Sequence, residues 1–285
     1  MRNFKKIRNT FLKIALSVGL LYLVFTKIEF TDVWATIQGA SPLYIALAVL
    51  AFVASQWLSS FRLLLYFREI HYHLSALSNH LLYLVGMFYN FFIPGGIGGD
   101  AYKVYILNKN FKWEVRKLTL AVLNDRLSGL IAILIWIQLF SLIYLPGVWK
   151  ILVIPCLALT IWLTRLMLKH WFSDFQHIYF RSLLYSMGIQ GLQLLCIGFI
   201  LMALNTPVGT AGIYFLVFLG STLLSVLSFS GIGVREWLFL KASEVFSFDP
   251  GLSVSTALLF SALTALISLA GVFFQFRSKY LKLKD

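Results

Sequence analysis

Pro94-Gly95-Gly96-Ile97-Gly98-Gly99-Asp100 lies between an apolar segment, 79–93, and a run bearing Lys103, Lys109, Lys112, Arg116 and Lys117. The glycines suit a turn, and the acid that closes the stretch is out of place in apolar surroundings. The rest of the chain shows what those surroundings are. Of its 285 residues, 60 % are hydrophobic and 12 % charged, against about 25 % charged in soluble domains. The charges gather between apolar stretches that approach or exceed the roughly 20 residues needed to cross a bilayer core. A net charge of +13 could suggest nucleic acid, but these lysines and arginines flank apolar spans instead of decorating a polar surface.

Apolar segments fall at about 11–26, 42–61, 79–93, 118–144, 149–167, 183–204, 213–229, 234–246 and 252–276. Pro42 suits the first turn of its helix, and Pro146-Gly147 makes a turn. No period-two pattern of a membrane barrel is present. Residues 1–25 resemble a signal peptide, but no small-residue cleavage site follows, so an uncleaved first helix is expected. Cys156 and Cys196 sit inside apolar spans, with neither a disulfide framework nor a zinc spacing.

The positive-inside bias orders these segments. With a cytoplasmic N-terminus, 11–26 and 42–61 cross, which makes the loop of Arg62 and Arg68 cytoplasmic. The run from Lys103 to Lys117 also belongs there by charge. The chain therefore enters near residue 79 and returns by about 108 without crossing, turning at the glycines. Further on, 118–144 leaves and 149–167 returns to Arg165, Lys169 and Arg181. Segment 183–204 leaves again, and Arg277, Lys279, Lys282 and Lys284 place the C-terminus inside. Segments 213–229 and 234–246 must then form a second hairpin, entered from outside, around Ser230-Gly231-Ile232-Gly233. Only Lys27 and Lys150 remain on full outer loops.

The expectation is an all-α polytopic protein of the cytoplasmic (inner) membrane, with both termini cytoplasmic. It has about six crossing helices and two re-entrant hairpins in an inverted-repeat arrangement. All of 1–285 forms one integral membrane domain, with hairpin 79–108 in its first half (about 1–145) and 213–246 in its second (about 146–285). A short echo, Gly96-Ile97-Gly98 against Gly231-Ile232-Gly233, each followed by an acid, accords with the repeat.

Asp100, Asp125, Arg126, Arg235 and Glu236 stand in apolar context. Each would cost roughly 2.5–3.5 kcal/mol at a helix centre, so lipid exposure is disfavoured. Asp125 and Arg126, adjacent on a helix, point about 100° apart and should address different partners. Half-helix N-termini attract anions, and Arg126 and Arg235 add forked donors matched to phosphate oxygens. Asp100, Asp125 and Glu236 would hold the arginines in place, or take up a proton or cation. Lys103, one turn beyond Asp100, would guide headgroups. The competing reading is a set of ion pairs, such as Asp100 with Arg126, that only pin the hairpins.

His71, His73 and His80 have no metal-binding set around them, and no cofactor or metal is expected. Ser228 and Ser230 lack a nearby histidine, and no H-E-x-x-H, Walker or Rossmann pattern occurs, so enzyme activity is not expected.

These motifs resemble the flippase-like membrane domain of lysylphosphatidylglycerol synthases and their stand-alone relatives. The resemblance rests on Asn90, Pro94, Gly98-Gly99-Asp100 and a base at Lys103, then Asp125-Arg126 and Gly129, then Gly231-Ile232-Gly233-Val234-Arg235-Glu236. It covers nearly the whole chain. Lys103 stands where arginine is common, keeping charge but losing the fork. Leu227-Ser228-Phe229-Ser230 lacks the proline often found before the last motif, which leaves the shape of that turn open. The resemblance implies translocation of an anionic, aminoacylated or glycosylated lipid between leaflets, Asn90, Pro94, Gly98, Gly99, Gly231 and Gly233 belonging to the binding site. The longer relatives append a cytosolic aminoacyl-transferase domain; this sequence stops at Lys284-Asp285, so lysyl transfer is not expected of it. The alternative is an accessory subunit or embedded enzyme of phospholipid or polyprenyl-linked glycan synthesis. The expected partner is a phospholipid or polyprenyl-phosphate lipid and not nucleic acid, with a partner synthase or homo-oligomer left open.

Overall fold

The computed structural model describes residues 30–92, 98–144, 147–225, 231–275 and 281–283, together with 19, 22 and 26. Segment 11–26 as a helix, Pro94 with the turn at 93–97, and the stretch 226–230 lie outside the described residues.

In chain order the helices are α1 Phe30–Gln38, α2 Pro42–Glu69, α3 Ala76–Phe92, α4 Gly98–Phe111, α5 Val115–Tyr144, α6 Gly147–Trp171, α7 Tyr179–Ala203, α8 Ala211–Leu224, α9 Val234–Phe246 and α10 Pro250–Gln275. Among the described residues the β pairing is one isolated bridge, Leu74 with Leu283. Among the described residues, five helices are long and apolar enough to cross a membrane: α2, α5, α6 from Lys150, α7, and α10 to Phe274. They coincide with five of the six expected crossings. The chain is an all-α polytopic membrane protein.

Local sequence explains the helix ends. Pro42 and Pro250 occupy first helical positions, where the missing N–H has no intrahelical partner to lose. Pro155 sits inside α6, as membrane helices tolerate. Ahead of α9, Gly231 and Gly233 at positive φ interrupt the helical run. Helices α3 with 17 residues, α4 and α8 with 14 and α9 with 13 are about 20–26 Å long, short of the roughly 30 Å hydrocarbon core.

Two features depart from expectation. Helix α2 continues to Glu69, so Arg62 is not in a loop but on a buried helix face. The apolar run Leu63-Leu64-Leu65-Tyr66-Phe67 carries the helix past the arginine. Helix α1 was not foreseen: at nine residues it is too short to stand out, and Val33 anchors it against Leu240 and Val254.

The chain divides into two compact units. The first contains Met1–Val53, Leu84–Gly99 and Gln193–Gln275, and the second Ala54–Tyr83, Asp100–Leu192 and Phe276–Asp285. In the first, Phe52 and Phe218 both meet the Phe260 ring edge-on, at 5.5 and 4.8 Å. In the second, Leu63, Leu64, Tyr66 and Phe67 of α2 pack with Leu118, Ala121 and Val122 of α5, and with Phe175, Ile178 and Tyr179 at the entry to α7. The short C-terminal piece docks here too: Lys282 N–H donates to Ser78 Oγ at 2.8 Å, and Ser75 N–H to the Lys282 carbonyl.

Candidate functional site

In the second unit, Asp100 stands in the first turn of α4 and receives two cations. Lys103 Nζ lies 3.2 Å from Oδ1, and Arg126 Nε donates to Oδ2. The Lys103 ammonium also sits 4.5 Å over the Tyr83 ring. Asp100 and Lys103 are buried, whereas the Arg126 side chain is 40 % exposed. One carboxylate thus draws two cations together.

Asp125 turns away from Arg126, as their adjacent positions require. Its Oδ1 accepts from Arg62 Nε at 2.8 Å, and Arg62 Nη1 donates to Ser186 Oγ of α7 at 2.8 Å. Gly129, one turn along α5, leaves room for this guanidinium: a Cβ there would come to 3.3 Å from Arg62 Nη1. The pair is buried on both sides. Arg62 and Ser186 were not anticipated, though a buried Asp125 demands a counter-charge and an arginine inside an apolar run was available.

The first unit carries the other motifs. Asn90 Oδ1 accepts from the Gly99 N–H at 2.8 Å, tying the end of α3 to the start of α4. Gly99 has no alternative there, because a Cβ would overlap the Gly86 carbonyl. Gly98 begins α4. At the start of α9, Gly231 and Gly233 both have φ of +84°, a region that favours glycine. The Gly233 N–H donates to Glu236 Oε2 at 2.7 Å, and Ser261 Oγ of α10 donates to Glu236 Oε1 at 2.8 Å. The same Ser261 Oγ accepts from Arg235 Nη1 at 3.0 Å, so one hydroxyl links the arginine to its neighbouring acid.

Arg235 is buried, its guanidinium 4.7 Å from the Phe260 ring centre and 5.9 Å from that of Phe218. Aromatic faces attract a cation, but they do not satisfy its N–H groups. Its Nε has no hydrogen-bond partner, and among the described residues no carboxylate lies within ion-pair distance of it.

One expectation is corrected. The backbone N–H groups at Gly99 and Gly233 are not open to a ligand, because Asn90 and Glu236 already accept from them. Buried amides must be satisfied, and these two are satisfied internally. Glu236 acts on Arg235 through its charge and shares the Ser261 hydroxyl with it. His80 is buried and stacked on Trp57, ring centres 4.0 Å apart. Among the described residues, no group of three His, Cys, Asp or Glu side chains could hold a metal ion.

Residues 10–271 match the family described as Lysylphosphatidylglycerol synthase TM region. No curated protein matches the chain. The chain belongs to this family, and its place is among membrane proteins of lipid-modification systems.

Proposed function

We propose, from that membership and from the buried Arg235 guanidinium whose Nε lacks a hydrogen-bond partner, that the chain translocates an anionic, aminoacylated or glycosylated lipid between the leaflets of the cytoplasmic membrane. Arg235 holds the headgroup phosphate in the first unit, and Arg126 offers the same phosphate chemistry in the second. The observation that carries this reading is the buried Arg235 Nε without a partner. A buried N–H left without an acceptor costs about 1–3 kcal/mol, and a phosphodiester would supply that acceptor together with a negative charge.

Helices α3, α4, α8 and α9, each too short to cross, support the two re-entrant hairpins. The run of basic residues supports cytoplasmic termini. Asp100, Asp125 and Glu236 keep the arginines oriented or take up a proton or cation during the cycle, and transport is passive or ion-driven. Aminoacyl transfer is not assigned to these residues, which offer phosphate recognition and no nucleophile–base pair.

The test is a leaflet-resolved lipid assay in proteoliposomes. Losing a hydrogen bond to a charged phosphate costs about 1.5–3 kcal/mol, so Arg126→Ala and Arg235→Ala should each slow transfer about ten- to a hundredfold. Rates equal to the unsubstituted protein would refute the reading.

A further inference from the structure

A second cationic feature shares no residue with the clusters around Asp100 and Arg235. A groove of about 320 Å³ opens between the end of α6 and the start of α7, lined by Trp162, Arg165, Leu166, Lys169, Gln176 and Tyr179. On α6 the spacing 162, 165, 166, 169 puts tryptophan, arginine, leucine and lysine on one face. Arg165 and Lys169 are exposed, and among the described residues neither forms an ion pair, not even with the exposed Asp174 of the 3₁₀ turn at 173–175.

We infer that this groove binds the headgroup of an anionic phospholipid, whose acyl chains run along the apolar face of α6. Three observations fix the occupant. The charge is complementary: two unpaired cations one turn apart face a groove that contains no carboxylate. The depth is right, since Arg165 and Lys169 fall in the last two turns of a span that ends at Trp171, at the level where headgroups and interfacial tryptophans meet. The apolar path is present, because Leu159, Trp162, Leu163 and Leu166 are all exposed. Helix α6 is also the least buried of the candidate spans, 11 % against 28 % or more.

The polar contacts are organised for a phosphate. Arg165 lies over the Phe180 ring at 5.3 Å, which orients the planar guanidinium while leaving N–H groups at its edge. Tyr179 OH is within 2.7 Å of Thr164 Oγ1, which fixes that wall of the groove. The exposed Gln176 amide, also in the lining, adds a donor.

The experiment uses the full chain in detergent, with dioleoyl phosphatidylglycerol or dioleoyl phosphatidylcholine added and retained lipid counted by native mass spectrometry. The unsubstituted protein should retain one more phosphatidylglycerol than Arg165→Ala/Lys169→Ala, with phosphatidylcholine unchanged. Two cationic contacts, each worth about fivefold near an anionic surface, predict roughly thirtyfold weaker binding in the double variant. The charge-keeping Arg165→Lys/Lys169→Arg should retain the extra lipid. Equal retention by the alanine variant, or no preference for phosphatidylglycerol in the unsubstituted protein, would overturn the inference. The Arg126 and Arg235 variants leave this lipid in place, so its loss and a failure of translocation are read separately.

Discussion

Breaking the Arg62–Asp125 pair should destabilise the protein severely, whereas replacing both residues together should not. At 2.8 Å and an effective dielectric near 20, the gross attraction is about 6 kcal/mol. Desolvating two ions costs several kcal/mol each, so the intact pair contributes little net stability. Asp125→Ala removes the attraction and leaves the desolvation, with Ser186 as the one remaining acceptor for the guanidinium among the described residues. The expected loss is about 3–5 kcal/mol, which at about 2–4 °C per kcal/mol lowers the melting temperature by roughly 6–20 °C. Arg62→Met should do the same, since it strands the carboxylate. The combined Arg62→Met/Asp125→Leu should recover most of the loss, giving a strongly non-additive cycle. Thermal unfolding in detergent, followed by circular dichroism, measures all four corners. Single variants that unfold within 2 °C of the unsubstituted protein, or a double variant whose loss is the sum of the singles, would refute the reasoning.

Gly99→Ala should cost about 1–3 kcal/mol, because the new methyl meets the Gly86 backbone and a backbone cannot swing aside; Gly129→Ala should be milder, since it meets a side-chain tip. Both are read by thermal unfolding. Gly233→Ala, at φ +84°, should cost about 1–2 kcal/mol from the left-handed backbone alone in the same assay. Ser261→Ala removes the hydroxyl shared by Arg235 and Glu236. It should cost about 1.5–3 kcal/mol of stability and lower the transfer rate in proteoliposomes.

Much of the scaffold is written openly in the sequence. Five apolar runs became five long helices, Pro42 marked a start, and Gly231-Ile232-Gly233 marked the break ahead of α9. The divergence of Asp125 and Arg126 followed from helix geometry alone. Arg62 escaped for a physical reason: a basic residue at the end of an apolar run looks the same whether it anchors the interface or turns inward to a buried acid. Ser186 and Ser261 carry no signal singly, because a serine in a membrane helix usually bonds its own backbone, as Ser186 also does to Ser182. The buried series Ser253, Ser261 and Ser268 on one face of α10 is the pattern that could have revealed Ser261. The capping roles of Asn90 and Glu236 depend on where each chain turns, and no spacing rule predicts that.

The most direct test of phosphate recognition is the distance from Arg235 to a lipid phosphorus. In protein purified with its retained lipid and labelled with ¹⁵N-arginine, solid-state ³¹P–¹⁵N recoupling reports such contacts. Arg235 is buried away from bulk headgroups, so a bound lipid is the source of any signal lost in Arg235→Lys. The account predicts a guanidinium resonance dephased by phosphorus at hydrogen-bonding range in the unsubstituted protein and missing from that variant. Identical dephasing in both would contradict it.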